Sequence, residues 1–240
     1  MISTSKWLVA GTACLFATAP LAMADPGRTL PRTTVRTVSP QNKPAPEAVV
    51  PDYKHLAIAH QAKGMVAKAI NEYQHAIELN PKDSGSHNNL AMALKDIGMF
   101  DAAAREERIA IKLKPHQSDY HYNLAIILQH QSSLKKAVGE LKKAAQLNEA
   151  DSEIHYRMAQ VQLERQKPAE AELELRKALQ LKPNRAQYLR LLGDALMLQD
   201  RDEDALTAYN QVVRLSKKPD SDLRNKIEFL TQRNSNSSHI

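Results

Sequence analysis

Pro81, Pro115 and Pro183 each follow an Asn or Lys that ends an apolar run, and Glu149 fills the same slot between them, so one punctuation mark recurs every 34 residues. A fixed period of this length is the signature of a tandem array of helical hairpins. Each hairpin buries its apolar side only by stacking on its neighbours, so packing sets the pattern and the surface is left to bind a partner.

Counted from residues 50, 84, 118, 152 and 186, position 7 reads Leu56, Leu90, Leu124, Met158 and Leu192. Position 8 reads Ala57, Ala91, Ala125, Ala159 and Gly193, and position 20 is Ala69, Ala103, Ala137, Ala171 and Ala205. Position 24 is mostly large, with Tyr73, Glu107, Leu141, Leu175 and Tyr209, and position 27 is small, with Ala76, Ala110, Ala144, Ala178 and Val212. Small columns facing large ones let helices approach closely and interlock.

Positions 4, 7, 8 and 11 fall on one side of a helix and predict the buried stripe of a first helix, and positions 17 to 30 predict a second. Gly64 and Gly98 are expected to break the chain between the two, and Pro168 to do the equivalent work in the fourth unit by opening its second helix. Lys114 and Lys182 fall at or just after a last turn, where a cation meets the negative helix end. The recurring Leu-Ala, Ala, aromatic or Leu, Ala and Pro resemble the tetratricopeptide repeat (TPR) motif over five units: 50–83, 84–117, 118–151, 152–185 and 186–219. The resemblance implies an all-α solenoid of antiparallel hairpins wound into a right-handed superhelix.

Departures from the family pattern are local. Glu107 stands where a large apolar residue is usual, Gln162 occupies position 11 of the fourth unit, Lys217 replaces the closing Pro of the fifth, and no unit has the family's Trp near its start. Residues 220–232, with Leu223, Ile227 and Leu230 at helical spacing, read as the polar-backed capping helix that a solenoid end needs, and 233–240 as a frayed tail.

The front of the chain reads as export machinery. Lys6 precedes a short apolar run, and Ala22-Met23-Ala24 is a small-x-small cleavage site, so residues 1–24 are expected to be a signal peptide and the mature chain to begin at Asp25 in a periplasmic or secreted setting. A retained membrane anchor and a lipoprotein built on Cys14 are the alternatives; the apolar run is short for a bilayer span, and Gly11-Thr12-Ala13 lacks the usual Leu. Residues 25–49 carry Pro26, Pro31, Pro40, Pro44 and Pro46 among Thr, Arg and Ser and read as a disordered tether.

Cys14 is the sole cysteine, so a chain starting at Asp25 has no disulfide, thiol nucleophile or cysteine-bound zinc. The formal charge of +6 falls to +5 without Lys6, of which the tether holds +2 and residues 220–240 none. The +3 left over five units is weak for a nucleic-acid surface. Lys135, Lys136, Lys142 and Lys143 read as a solvated outer face.

Constellations for catalysis fail on geometry. His87, His121 and His155 share position 4, but equivalent helices of adjacent units stand about 8–10 Å apart, whereas zinc needs each nitrogen about 2 Å from one centre. They are expected to be packing residues of the buried stripe. Asp200, Asp202 and Asp204 mimic a calcium loop, but Ala205 replaces its Gly and Gln211 its Glu, so they read as helix-start stabilisers. Glu170, Glu172 and Glu174 read as surface charges, and Ser84-Gly85-Ser86 as a helix cap. No glycine-rich phosphate loop exists. The chain is expected to be no enzyme and to use no metal or cofactor.

What remains is the other side of each first helix, which in the resembled family lines a concave groove for a partner's peptide. Position 5 offers Lys54, Asn88, Tyr122, Tyr156 and Arg190; position 6 offers His55, Asn89, Asn123, Arg157 and Leu191; position 9 begins with Ile58, Met92 and Ile126. The last three form an apolar strip, and such a strip on a surface marks an interaction site. Asn89 and Asn123 are expected to bond a partner's main chain, as in family members with asparagines there, or else a neighbouring helix within the array. The chain thus reads as an exported scaffold that grips an extended segment of another cell-envelope protein. The alternative is a self-associating subunit using Leu191, Met197 and Leu198 as a dimer face.

Overall fold

The computed structural model describes residues 51–216 and 220–237, so the expected signal peptide, the whole of the tether and Lys217 lie outside the described residues. Those described form eleven helices: α1 (Tyr53–Ala62), α2 (Val66–Leu79), α3 (Ser84–Asp96), α4 (Phe100–Leu113), α5 (Ser118–His130), α6 (Leu134–Leu147), α7 (Ser152–Glu164), α8 (Pro168–Leu181), α9 (Ala186–Met197), α10 (Asp202–Leu215) and α11 (Ser221–Ser237). Each odd helix packs on the even helix that follows it as a hairpin, and each even helix on the next odd one. Every second helix spans positions 17 to 30, as the register predicts. The fold is all-α among the described residues.

One backbone device makes all five hairpin turns. Position 15 is left-handed in every unit: Gly64 at φ 74°, Gly98 at 79°, Ser132 at 55°, Gln166 at 57° and Asp200 at 58°. The expectation that Pro168 replaces the glycine is therefore corrected. Pro168 begins α8, where its missing N–H costs nothing, but Gln166 makes the turn. Two units use the residue free of Cβ strain there, and three bear that strain.

Helix starts also differ from expectation. Asp83 caps α3, accepting from the Gly85 N–H at 3.1 Å, and Asp151 caps α7 through the Glu153 N–H at 2.9 Å. Ser84 is instead buried, its hydroxyl 3.1 Å from that of Tyr120 in the next unit, and Ser152 meets Tyr188 in the same way at 3.0 Å. An aspartate accepts without needing to donate, which frees the following serine to face the core.

The small columns are enclosed except at the partly buried Ala76, and large side chains of position 24 lie against them, with Tyr73, Leu141, Leu175 and Tyr209 all buried. One apolar cluster runs from Ala57 to Val161, and another joins α9 and α10 to Leu223 and Leu230 of α11. That helix runs on to Ser237 rather than ending at Gln232, and Arg233 binds Asp200 and Asp202 in the fifth unit. Position 7 is buried at Leu90 and Leu124, yet Leu56 is 39% exposed, α1 having no helix before it among the described residues. The rest of that open side is polar or small: position 3 is Asp52 and position 10 is Ala59, where the third unit buries Tyr120 and Ile127.

Position 4 has a polar counterpart. His87, His121 and His155 place Nδ1 2.7 Å from Glu106, Glu140 and Glu174, at position 23 of their own units. His87 and His121 also set Nε2 3.2 Å from the carbonyls of Pro81 and Pro115 in the unit before. Each such imidazole ties two units together. Burial pushes the Glu140 and Glu174 carboxyls up, but hydrogen bonds from His121 with Lys143, and from His155 with Lys177, outweigh it and leave both below the usual range. Glu174 and Glu172 are thus buried rather than the surface charges expected, Glu172 being held by Arg176 and Arg201.

Candidate functional site

The first helices form a continuous side of the array because α3 meets α5, and α7 meets α9, directly. Positions 5, 6 and 9 project from that side. At its start Ile58 is 43% exposed, and Lys54 reaches across to Asp83 at 2.8 Å. At its end, Arg190 is clasped by Asp220 and Asp222 at 2.5 and 2.6 Å. Those two carboxylates, at the start of α11, raise the Arg190 guanidinium above its ordinary range. Asp194 accepts from both the Tyr209 hydroxyl and the Lys226 ammonium at 2.7 Å. The capping helix therefore closes the face over the fifth unit.

Between these ends lie the second, third and fourth units. Asn123 Nδ2 donates to Asn88 Oδ1 at 2.8 Å, and Asn88 Nδ2 donates to Asn89 Oδ1 at 3.1 Å. Burial raises the Tyr73 phenol, and a hydrogen bond with Asn89 partly offsets that. The two asparagines expected as separate rungs thus belong to one row of amides, joined through Asn88 across α3 and α5. Met92 and Tyr122 are half-buried against the core, and Ile126 is half-buried beside them, so the expected apolar strip is only partly open.

On α7, Tyr156 stacks on Tyr188 with centroids 4.9 Å apart and accepts from Gln160 Nε2 at 3.1 Å. Burial, then the nearby Glu153, raises the Tyr156 phenol. Arg157 Nε and Gln160 Oε1 are both shut off from solvent with no hydrogen-bond partner among the described residues. One donor and one acceptor thus stand unpaired about one turn apart. Gln160 belongs to the position 9 column but breaks its apolar run, and that change of residue type was the only signal for it. Of the residues expected to form a dimer face, Leu198 is 61% exposed, whereas Leu191 and Met197 pack on their own core.

Among the described residues no group of three His, Cys, Asp or Glu side chains is placed to hold a metal ion, and no helix is long and apolar enough to cross a membrane.

Tetratricopeptide repeat models match residues 53–83, 72–105 and 156–221. A search of curated proteins returns no match. Among solved structures, MamA 41-end from Desulfovibrio magneticus RS-1 superposes with a TM-score of 0.65 at 19% identity, covering 70% of this chain and 96% of that one. YrrB, described as a TPR protein with an unusual peptide-binding site, gives 0.61 at 20% identity over 71% and 87%. PilF of Pseudomonas aeruginosa gives 0.64 at 19% identity over 75% and 88%. These likenesses are of fold, and they agree with the period, the hairpins and the matched repeats: the chain is a tetratricopeptide repeat protein.

Proposed function

We propose that this protein is an adaptor that holds an extended segment of a partner protein across the first helices of its second, third and fourth units. The observation that carries the reading is the enclosed, unpaired Arg157 Nε and Gln160 Oε1 on α7. Each such group costs about 1–3 kcal/mol while unsatisfied, and a peptide unit offers an acceptor and a donor together. The amide row from Asn123 to Asn89 extends the same chemistry to α3 and α5, with Tyr122, Met92 and Ile126 as apolar contacts between. The peptide-binding site named for YrrB, on a similar fold, supports the same reading.

Photocrosslinking tests it. A benzoylphenylalanine at Tyr122 or Tyr156 is expected to capture a partner polypeptide, and one at the exposed Lys142 of α6 is not. Replacing Arg157 and Gln160 by Leu should abolish capture while leaving the melting temperature unchanged or raised. Adducts only with a second copy, or equally from Lys142, would overturn the reading.

The setting proposed is the cell envelope, on the strength of Lys6, the apolar run and Ala22-Met23-Ala24. The exported form should begin at Asp25 and carry neither Trp7 nor Cys14, so its intact mass should fit Asp25 as first residue. Tryptophan emission from the released protein would contradict this.

A further inference from the structure

Glu107 is fully buried, and neither carboxylate oxygen has a hydrogen-bond partner. It occupies position 24 of the second unit, in a column that is otherwise Tyr or Leu. Where that column carries a polar tip, the tip reaches the first helices, those of its own unit and, for Tyr73 with Asn89, that of the next. Tyr209 donates to Asp194 at position 9, and Tyr73 donates to Gln61 at position 12. At the corresponding positions around Glu107 stand Met92 and Lys95 of its own unit and Asn123 of the next.

Among the described residues no cation answers it. α4 packs on α3 and α5. On α3, Lys95 is bonded to Asp96 at 3.0 Å and His87 to Glu106. On α5, His121 is bonded to Glu140, His130 stacks on Phe100, and Asp119 is exposed. On α4 itself, Asp101 accepts from Gln131, and Arg105, Arg108 and Lys112 point to solvent. Burial alone acts on the Glu107 carboxyl and pushes it up to about 9, so at neutral pH it holds its proton.

We infer that Glu107 is a specificity subsite on the binding face, one that takes a lysine or arginine side chain of the bound segment. The inference rests on the adaptor reading above. Met92, unbranched and half-buried, is the cover that moves aside. As the cation enters, the Glu107 carboxyl gives its proton to solvent and its carboxylate pairs with the ammonium or guanidinium. One proton leaves per segment bound, and no other bond is made or broken. An enclosed carboxylate left unpaired is costly, and a charge-bearing donor makes a stronger hydrogen bond to it than a neutral side chain does.

The test uses random ten-residue peptides displayed on phage, selected on the exported protein and on its Glu107→Leu variant, which restores the residue of the third and fourth units. The wild-type selection should enrich Lys or Arg at one register position, and the variant should still select peptides but without that preference. Replacing the selected lysine by norleucine should weaken binding about tenfold to wild type, a difference of about 1.4 kcal/mol, and not at all to the variant. Calorimetry in phosphate and Tris should show about one proton released by wild type and none by Glu107→Gln. Peptides selected with the same residue preference on both proteins would overturn the subsite but leave the adaptor reading standing. Failure to select any peptide would overturn both.

Discussion

A Cβ added at Gly193 would stand 2.3 Å from Cε1 of Tyr209, well inside contact distance. The ring of position 24 lies flat against the backbone of position 8, and the Tyr209 hydroxyl is pinned by Asp194. The third and fourth units have Ala125 against Leu141 and Ala159 against Leu175 at the same places. Gly193→Ala should therefore cost about 1–3 kcal/mol through overpacking. Adding Tyr209→Leu should recover part of that loss. Thermal melts of the two single variants and the double variant measure the coupling, and additive losses would contradict it.

The turns make a second, purely backbone prediction. Gly64 and Gly98 have no heavy atom within 4 Å of an added Cβ, so only the positive φ opposes a side chain. Gly98→Ala should destabilise by about 1 kcal/mol. Gln166→Gly should stabilise by about 0.5 kcal/mol, strain relief being partly offset by the freer unfolded chain. Urea midpoints at constant slope check both signs.

Glu107 should make the protein weaken with rising pH. Its folded-state pKa of about 9 lies above the ordinary 4.5, so the stabilising proton is fully bound below 4.5 and is lost as pH rises through 9. Stability should fall by roughly 1 kcal/mol per pH unit inside that window. Glu107→Leu should be more stable than wild type, with the gap widening from pH 5 to pH 8. A gap independent of pH would show that the carboxyl is not the titrating group.

The His–Glu pairs act at the other end of the scale. Glu140 and Glu174 are held below their ordinary range, so the stability they contribute is present above pH 4.5 and is lost as pH falls through their folded values. Glu140→Gln should cost about 1.5–3 kcal/mol at pH 7, the range for a charged hydrogen bond, and much less at pH 3. Denaturant melts at the two pH values decide it.

Leu124 is 4% exposed at the centre of the array, and Leu124→Ala should cost about 2–5 kcal/mol. Each unit leans on its neighbours, so amide exchange should quicken in α3 and α7 as well as in α5. Lys142→Ala on the exposed side should be nearly silent. Equal shifts for the two variants would contradict the register.

The 34-residue period was enough to place every second helix, the small columns and the large ones, because those contacts repeat in each unit and packing admits few residue types at them. Polar partnerships were not legible in the same way. Asn123 meets Asn88, Arg190 meets Asp220 and Asp222, and Glu107 meets nothing, across gaps of thirty or more residues or within a single column. Periodicity brings two side chains to one neighbourhood. Whether a donor then finds an acceptor depends on side-chain torsions and on distances good to a few tenths of an ångström, which only the folded arrangement sets. The same holds for the exposed Leu56 and the closed fifth unit: the repeat is blind to its own ends, and burial there is decided by whether a further helix packs on that end.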